Sequence, residues 1–418
     1  METPFLYKGD LLFCEQVPLV EIAREFGTPC YVYSYARIIQ NYHAFVAAFS
    51  RVPHFIAYAV KANSNGAILR ALAHRGSGAD VVSGGELERA LAAGIPPDRI
   101  VFAGVGKQMQ ELERAIASRI LCIHVESIEE LCVLGAMVTS RSRAVPIAIR
   151  VNPDVKVHTH PYVSTGKRED KFGIPAPQTL SAYRRARGFG GLEVVGIHMH
   201  IGSQITELTP YREALQVVLS LAADLAAEGI NLRLLDIGGG LGISYAGEPV
   251  PTPSDLARVV LPLLENFEGT LVLEPGRAIV ADAGVLLTEV LYRKPGFPRP
   301  FLIVDAGMND LIRPCLYHAL HRVAPVHRCE GEMVMDIVGP ICESADVLAQ
   351  ACSLPPVERG DTLAIRDVGA YGFSMASRYN SRPCAAEVMV REKEAFLIRE
   401  RETVKDLTAR ERMPRFLQ

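Results

Sequence analysis

The stretch FIAYAVKAN (residues 55–63) is an apolar run that ends in a lysine and an asparagine. Short apolar runs of this kind, closed at once by polar residues, are typical of buried strands. Similar runs recur along the chain, each separated from the next by a longer segment with helical spacing. Together they predict eight strands, at Phe55–Val60, Ala79–Ser83, Ile100–Ala103, Leu121–Val125, Ile147–Val151, Val195–His200, Leu234–Ile237 and Leu271–Glu274.

The segments between these strands carry apolar residues at helical spacing. The clearest predicted helices are Glu86–Ala93, Gln110–Ser118, Ser127–Met137, Tyr211–Glu228 and Ser254–Glu265. Eight strands with intervening helices over about 220 residues match the size and repeat of a (β/α)8 barrel. A doubly wound open sheet is the alternative, because a count of strands does not prove that the sheet closes.

The placement of polar residues and glycines favours the barrel. One or more of them falls at the carboxyl end of each predicted strand, where barrels of this kind carry their chemistry. These positions are Lys61, Ser83, Gly104, Glu126, Asn152, His200, the glycines after Ile237, and Glu274.

The pattern changes after Arg277, where strand-like runs are separated by Gly and Pro turns. We predict strands at Ala278–Lys294, Phe301–Asp305, Met333–Val338, Thr362–Arg366 and Ala385–Val390. At the N-terminus, Phe5–Phe13 and Cys30–Tyr33 also resemble strands that could join this sheet, with a helix near Pro18–Phe26 between them. The predicted domains are therefore a barrel over residues 36–280 and a β-rich domain of 1–35 and 281–418. The charged tail from Arg391 is expected to be a solvated surface segment.

Composition excludes several classes of protein. The formal net charge of -3 argues against a sequence-independent nucleic-acid binder. No apolar stretch reaches the roughly 20 residues of a membrane span, and the first residues do not resemble a signal peptide. The nine cysteines are odd in number and never in CxxC spacing, which indicates reduced thiols. We therefore expect a cytoplasmic protein without membrane or nucleic-acid partners.

Lys61 is the first candidate for chemistry. A lysine that ends an apolar barrel strand directs its amine into the mouth of the barrel, where burial lowers its pKa and makes it nucleophilic. The motif alone also fits a lysine that reaches from a strand end into solvent.

The motif DIGGGLG (236–242) is a strand that runs into a glycine cluster. Backbone N–H groups at such glycines can close around a phosphate, and the seventh strand of a barrel is a frequent phosphate site. The motif has neither the lysine of a Walker A loop nor GxGxxG spacing, and a flexible loop is the alternative interpretation.

The motif EPGR (274–277) follows the last predicted barrel strand. Its carboxylate can hold a protonated pyridine nitrogen, and its arginine can grip a phosphate or a carboxylate. A surface ion pair at a turn is the alternative.

The motif HMHIGSQ (198–204) places His198 and His200 on one face of a strand. No Glu or Cys stands at ligand spacing, so we expect no metal site. A histidine that stacks on a flat ring, with Ser203 bonding a phosphate, is the favoured interpretation.

Taken together, these motifs resemble the fold-type III pyridoxal 5'-phosphate (PLP) decarboxylases, and within them the diaminopimelate decarboxylase family. The resemblance implies a PLP-binding (β/α)8 barrel with a C-terminal mostly antiparallel β domain, of the alanine racemase-like and ornithine decarboxylase-like class. The matching stretches are AYAVKANSN (57–65), RVNPDV (150–155), THPYVSTGKREDKFGI (159–174), HIGSQI (200–205), DIGGGLGISY (236–245), EPGR (274–277), RPCLY (313–317), CESAD (342–346), GAYGFSM (369–375) and, at the N-terminus, IAREFGTPCYVYS (22–34).

The resemblance also implies a role for individual residues. Lys61 holds PLP as a Schiff base, His200 stacks on the ring, and Glu274 bonds the pyridine nitrogen. Ser203, the glycines of DIGGG and the backbone of the EPGR turn hold the phosphate. The full set of implied cofactor-binding residues is Lys61, His200, Ser203, Gly238, Gly239, Gly240, Glu274, Gly276, Arg277 and Tyr371. The implied substrate-binding residues are Arg277, Arg313, Tyr317, Glu343 and Tyr371.

For the reaction, the resemblance implies decarboxylation of meso-2,6-diaminopimelate to L-lysine and CO2, the last step of lysine biosynthesis. Cys342 is the implied proton donor, and the family's homodimer combines the barrel of one subunit with the CESAD segment of the other. Ornithine has no distal carboxylate for Arg313 and Tyr317 to bind, which favours diaminopimelate.

Other functions stay open from sequence alone. They are the same fold acting on a related amino acid, a carboxy-polyamine or a carrier-bound glutamyl group, or a PLP-binding protein without activity. Retention of Lys61, Glu274 and Cys342 argues against the last of these. Ala345, Arg378 and Cys384 depart from the family pattern, which affects substrate fit and loop packing rather than the chemical residues.

Overall fold

The eight apolar runs that were predicted as strands form a closed parallel barrel. Each strand pairs in parallel with the next, and the eighth strand pairs with the first, which closes the sheet. In chain order the barrel strands are His54–Ala59, Gly78–Val81, Ile100–Phe102, Cys122–Val125, Val145–Asn152, Leu192–Met199, Leu234–Asp236 and Thr270–Leu273. A short strand, Ile174–Pro175, adds to the fifth. The barrel prediction is thus confirmed, and the open-sheet alternative is wrong.

This computed structural model describes residues 3–139, 143–156, 166 and 170–418. The chain divides into two units. The barrel unit consists of Ile39–Ser244 and Pro249–Ile279. The β-rich unit consists of the residues up to Ile38 together with Tyr245–Glu248 and Val280–Gln418. The predicted motif THPYVSTGKREDKFGI lies mostly outside the described residues.

Helices follow most of the barrel strands. Their starts lie within two residues of the predicted positions, because capping side chains such as those of Ser83 and Ser127 accept hydrogen bonds from the first turn. The predicted helix Ser254–Glu265 is shorter than expected, since Pro262 has no N–H to continue the α-helical bonding and a 3-10 turn, Leu261–Leu264, takes over. The helices are Tyr35–Ala48, Gly66–Ala73, Gly84–Ala92, Met109–Ser118, Ile128–Val138, Ala176–Arg187, Thr209–Ala227, Pro253–Val260 and Arg277–Val280.

The barrel strands are held together by apolar clusters that join non-neighbouring parts of the sequence. Ala57, Val101 and Val272 form one cluster, and Cys122, Ala148 and Val195 form another. Burial of each larger side chain of this kind contributes roughly 1.5–3 kcal/mol. The apolar part of the strands therefore fixes the barrel, while their carboxyl ends are left for polar residues.

The β-rich unit contains a three-stranded antiparallel sheet and a larger, mostly antiparallel sheet. The predicted strand Phe5–Phe13 is two strands, because Gly9 turns the chain at φ +60°. The small sheet consists of Phe5–Lys8, Leu11–Cys14 and Val17–Pro18, which precede the helix Leu19–Phe26. The larger sheet consists of Cys30–Ser34, Gly284–Lys294, Phe301–Val304, Val323–Pro325, Met333–Val338, Val347–Leu354, Thr362–Arg366, Ala386–Arg391 and Glu394–Arg399.

Cys30–Ser34 joins the larger sheet between Gly284–Lys294 and Ala386–Arg391, as the sequence suggested. One expectation for this unit was wrong, because the strand predicted to begin at Ala278 begins at Gly284, after a helical turn. The strands Val323–Pro325 and Val347–Leu354 were not predicted. The tail beyond Arg391 is exposed in large part, but Glu394–Arg399 pairs as an edge strand, where charged side chains are tolerated because one side of the strand faces solvent. The remaining short helices of this unit are Arg313–Tyr317 and Val404–Thr408.

No helix in the described parts of the chain is long and apolar enough to span a membrane. All nine cysteines have free thiols.

Candidate active site

Lys61 lies in a 3-10 turn, Val60–Ala62, directly after the first barrel strand. Its Nζ donates a hydrogen bond of 2.7 Å to Oδ2 of Asp80 on the second strand. The lysine side chain is 32% exposed, whereas that of Asp80 is fully buried. Burial and then the charge of Glu274 raise the pKa of Asp80, Lys61 opposes both, and the resulting pKa is about 6. The amine is therefore held at the carboxyl face of the barrel by a buried acid, as the strand-end position predicted.

His200 directly follows the sixth strand and has a neutral ring. Its Nδ1 accepts a hydrogen bond of 3.1 Å from the backbone N–H of Gly239, so the ring proton is on Nε2. Burial, followed by the charge of Lys61, lowers the pKa of His200 well below its usual value. An uncharged, fixed imidazole of this kind can stack on a flat ring.

The DIGGG glycines form a cradle that no other residue could occupy. A Cβ on Gly238 would lie 2.5 Å from the carbonyl oxygen of Met199, and one on Gly239 would lie 2.0 Å from that of Glu274. On Gly240, where φ is +107°, it would lie 2.3 Å from the carbonyl oxygen of Gly202. The loops after the sixth, seventh and eighth strands approach this closely only because side chains are absent. The prediction of a close backbone cradle is supported by this packing.

Two side chains that the sequence analysis did not single out fix this cradle. Gln204 donates to the carbonyl oxygen of Ile243 at 2.6 Å and accepts from its N–H at 3.2 Å. The buried hydroxyl of Tyr211 donates to the carbonyl oxygen of Gly239 at 2.7 Å. Gln204 was part of a quoted motif, but Tyr211 is a helix residue whose sequence context carries no signal of this contact.

Ser203 and the EPGR turn lie beside the glycines. Arg277 Nη2 donates a hydrogen bond of 3.0 Å to Ser203 Oγ. A Cβ on Gly276 would lie 2.9 Å from the Cβ of Ala62, next to Lys61. The structure thus brings the predicted cofactor residues of the barrel unit to one face.

Glu274 is buried among residues that the sequence analysis did not group with it. His198 Nε2 lies 3.5 Å from Oε2 of Glu274, and His124 Nδ1 lies 3.7 Å from Oε1. The other nitrogen of His124 lies 3.6 Å from Asp236 Oδ2. In the sequence, the feature that could have indicated this cluster is His124, a polar residue in an otherwise apolar strand.

The atoms of His124, His198, Asp236 and Glu274 that could bind a metal all lie within 4.8 Å of one another, a spacing at which one ion could be bound. His124 turns opposite nitrogens toward the two carboxyls, which is the geometry of a bridging imidazole rather than of one coordination sphere.

A second buried ion pair, Glu126–Arg150, lies at the ends of the fourth and fifth strands. Arg150 Nη1 donates to Glu126 Oε1 at 2.7 Å. Glu126 also accepts from the N–H groups of Gly104 at 2.8 Å and Gly173 at 3.0 Å. The guanidinium group of Arg150 lies 4.7 Å from the ring centre of Phe172. This pair therefore anchors the chain where it returns to the barrel.

In the β-rich unit, Arg313 is buried and lies against two aromatic rings. Its guanidinium carbon is 5.3 Å from the ring centre of Tyr245 and 5.8 Å from that of Tyr317. Its Nε donates to Nε2 of His321 at 3.3 Å. Tyr371, half-buried, adopts a φ of +57°, which is unusual for a tyrosine.

Cys342 and Glu343 are exposed, but their backbone is fixed. Asp346, 3% exposed, accepts hydrogen bonds from the N–H groups of Met308 at 2.6 Å and Ile341 at 2.7 Å. The N–H of Cys342 donates to Asn380 Oδ1 at 2.8 Å. Asp346 therefore shapes the segment, a role the motif CESAD did not reveal by itself.

The residues that depart from the family pattern are accommodated locally. Arg378 pairs with Glu402, which also accepts from the N–H of Cys384 at 3.1 Å. The carbonyl oxygen of Ala345 accepts from the thiol of Cys315 at 2.7 Å.

Comparison with known proteins places these features in context. Residues 35–281 match the family model for the pyridoxal-binding domain of pyridoxal-dependent decarboxylases. The diaminopimelate decarboxylase of Aquifex aeolicus is 50% identical over 402 residues, which cover 96% of this chain and 95% of that protein.

Two solved structures are also similar. The diaminopimelate decarboxylase of Helicobacter pylori in complex with L-lysine has a TM-score of 0.91 and 45% identity, covering 94% of this chain and 98% of that chain. The enzyme from M. jannaschii, also in complex with L-lysine, has a TM-score of 0.95 and 39% identity, covering 99% of each chain.

Proposed function

Because this chain belongs to the pyridoxal-dependent decarboxylases, and within them to the diaminopimelate decarboxylases, we propose that Lys61 holds the cofactor and that Cys342 donates the proton. The protein is a PLP-dependent carboxy-lyase. It converts meso-2,6-diaminopimelate to L-lysine and CO2, the last step of lysine biosynthesis.

The barrel unit fits PLP on two observations of its own residues. A Cβ at Gly238, Gly239 or Gly240 would collide with a backbone carbonyl oxygen, so only glycines allow these loops to converge and present backbone N–H groups to a phosphate. The carboxyl group of Glu274 is buried, and among the described residues only histidines lie within salt-bridge distance of it, so a protonated ring nitrogen would supply the cation that it lacks. When bound, PLP supplies an electron-withdrawing ring that stabilises the charge left on Cα as the carboxylate departs.

We propose the following cofactor contacts. Lys61 Nζ, next to the acid Asp80, holds the cofactor covalently and exchanges a proton at that atom. The neutral ring of His200 covers one face of the cofactor, and the carboxyl group of Glu274 bonds its ring nitrogen. The phosphate is bound by Ser203, Gly238, Gly239, Gly240, Gly276 and Arg277. Tyr371 is the remaining cofactor-binding residue.

The substrate is bound through its two charged ends. Arg313, buried against aromatic rings, offers a planar guanidinium for the distal carboxylate, with Tyr317 beside it. The exposed carboxylate of Glu343 accepts the distal ammonium. Arg277 and Tyr371 are the remaining substrate contacts. Cys342 delivers its proton to Cα after CO2 has left.

A substrate panel tests the function directly. The purified protein with added PLP is expected to release CO2 from meso-2,6-diaminopimelate and to show much lower turnover with ornithine, lysine, a carboxy-polyamine and a glutamyl-carrier compound. Turnover of one of these, without CO2 from diaminopimelate, would contradict the substrate assignment. The single observation that supports it is the buried Arg313.

We also propose that the enzyme is a cytoplasmic homodimer whose active sites are shared. In each site, the cofactor-binding domain (36–280) of one subunit works with the β-rich domain (1–35 and 281–418) of the other. Cys342 and Glu343 are exposed although their backbone is held by hydrogen bonds. Exposed side chains on a fixed backbone fit a segment that acts in the active site of the other subunit. Nine free thiols fit a reducing compartment.

Mixing two inactive variants tests the shared site. Lys61→Ala chains dissociated and reassociated with Cys342→Ala chains are expected to recover about a quarter of the parent activity, because half of the dimers are mixed and each has one intact site. Each variant reassociated with itself is the control. If both residues act within one chain, no activity returns.

A further inference from the structure

The carboxyl group of Glu274 belongs to a buried cluster with Asp236, His124 and His198. These four residues are at most 3% exposed. The two imidazole rings stack with centres 4.1 Å apart at an interplanar angle of 23°. His124 faces Asp236 with Nε2 and Glu274 with Nδ1, while His198 Nε2 faces Glu274. The histidines thus enclose the two acids.

The two acids have no basic side chain to balance them. The cations around the cluster each have an acid of their own at 2.7 Å: Lys61 pairs with Asp80, Lys107 with Glu130, and Arg150 with Glu126. Among the described residues, histidines alone come within salt-bridge distance of Asp236 or Glu274. Two adjacent buried carboxylates without cations cannot both be ionised at acceptable cost.

The hydrogen bonds show which oxygen is available for a proton. Asp236 Oδ1 accepts from the N–H of Gly238 at 2.8 Å, so this oxygen holds the start of the phosphate cradle. Asp236 Oδ2 and Glu274 Oε1 are both buried without a donor among the described residues. A proton on Oδ2 would satisfy both atoms at once.

We propose that Asp236 is a positioning residue that keeps one proton between its carboxyl group and that of Glu274, so that the pair carries a single negative charge. That charge resides on Glu274, where it faces the ring nitrogen of the cofactor. This inference rests on the function proposed above for Glu274. Through its second oxygen, Asp236 also links the ring-nitrogen site to the phosphate cradle.

The surrounding groups support a neutral Asp236. Burial, followed by the charge of Glu274, raises the pKa of Asp236 well above its usual value. Burial lowers the pKa of both histidines well below the usual value, so neither supplies a positive charge. The other titratable or charged groups that face the cluster are Lys61, Asp80, Lys107, Cys122, Glu126, Arg150 and His200.

Two substitutions separate a neutral role from an anionic one. Asp236→Asn keeps the acceptor for Gly238 and places an N–H donor where we place the proton, whereas Asp236→Ala removes both. With the full chain freed of cofactor, Asp236→Asn is expected to bind PLP within about threefold of the parent, and Asp236→Ala about tenfold to a hundredfold more weakly. Asp224→Asn, on an exposed helix face, is the control. An equal loss of PLP affinity in Asp236→Asn and Asp236→Ala would overturn the proposal.

A second measurement needs neither cofactor nor substrate. The folded parent keeps a proton that Asp236 releases on unfolding, because an unfolded aspartate has a pKa of about 3.9. Stability therefore falls as pH rises above that value, toward the raised folded pKa. Above about pH 5, and until the raised folded pKa is reached, the unfolding equilibrium constant of the cofactor-free parent should rise by up to about tenfold per pH unit relative to Asp236→Asn. Asp80 and Glu86 titrate in both proteins, so their contributions to the pH dependence of stability cancel in the comparison.

Two results would overturn the shared proton. One is a pair of parallel stability curves for the parent and Asp236→Asn. The other is one tightly bound zinc ion per chain that Asp236→Asn no longer retains, since a cation would allow both acids to ionise. Failure to decarboxylate diaminopimelate would refute the proposed function but would leave these stability curves unaffected.

Discussion

The strand-end residues of the barrel unit and the CESAD segment of the β-rich unit (residues 342–346) are built in opposite ways. Glu274, Asp236, His124 and His198 are at most 3% exposed, and each of the two carboxyl groups faces a histidine ring. Cys342 and Glu343 are exposed, and the backbone beside them is held by hydrogen bonds to Asp346 and Asn380. Burial favours a site that must stabilise charge on a cofactor, because electrostatic interactions are stronger where water is excluded. Side chains that bind a substrate must stay accessible to it, and a fixed backbone keeps them in position.

The largest effect is expected at the centre of the barrel site. Lys61→Ala should lower kcat by about a thousandfold or more, because it removes both the covalent attachment and a proton-transfer group. The visible absorption band of the attached cofactor should disappear. CO2 release and absorption spectra measure the two effects.

Lys61→Arg is the matched control for folding, since it keeps a cation beside Asp80 but cannot attach the cofactor. Both variants should be inactive while Lys405→Ala, at an exposed position, retains full activity. Turnover of either Lys61 variant within tenfold of the parent would remove the central assignment of the barrel site.

The next effect tests the exposed segment. Cys342→Ala should lower kcat by about a hundredfold to ten-thousandfold, the range for loss of a general acid. PLP affinity should stay unchanged, because every proposed barrel contact is retained. Cys329→Ala, another exposed cysteine of the β-rich unit, is the control. An unchanged kcat would assign the proton to another donor and weaken the contrast between the two regions.

A smaller effect is expected for substrate recognition. Arg313→Lys should raise KM for diaminopimelate about tenfold to a hundredfold with little change in kcat, because an ammonium cannot make the paired hydrogen bonds of a guanidinium. Initial rates over a range of substrate concentrations separate the two constants. Arg293→Lys, in a surface pair with Glu358, is the control. If KM stays the same, the distal carboxylate is bound elsewhere.

The smallest effect concerns the support of the segment. Asp346→Asn keeps one acceptor oxygen but turns an amide N–H₂ toward a backbone donor. The free energy of unfolding should fall by about 1.5–3 kcal/mol, the value of one buried hydrogen bond to a charged acceptor. Denaturant unfolding measures it, with Asp361→Asn, which accepts one backbone hydrogen bond near the surface, as the control. Equal losses in both variants would mean that Asp346 has no special role.

Prediction from sequence succeeded where a local pattern carried the information. The eight apolar runs located the barrel strands, and the polar residue after each run located Lys61 and Glu274. It failed where the pattern was weak, as in Val347–Leu354, whose exposed face mixes polar and small residues. It also failed at Glu394–Arg399, because charged residues hide an edge strand that pairs with its neighbour through backbone atoms.

The sequence by itself determined the order of strands, the glycines of the phosphate cradle and the chemical identity of the candidate residues, since each depends on neighbours within a few positions. Only the tertiary structure decided that His124, His198, Asp236 and Glu274 meet, because they come from the fourth, sixth, seventh and eighth strands and barrel closure brings those strand ends together. The charge of a buried acid depends on which groups surround it in space. No local pattern contains that information.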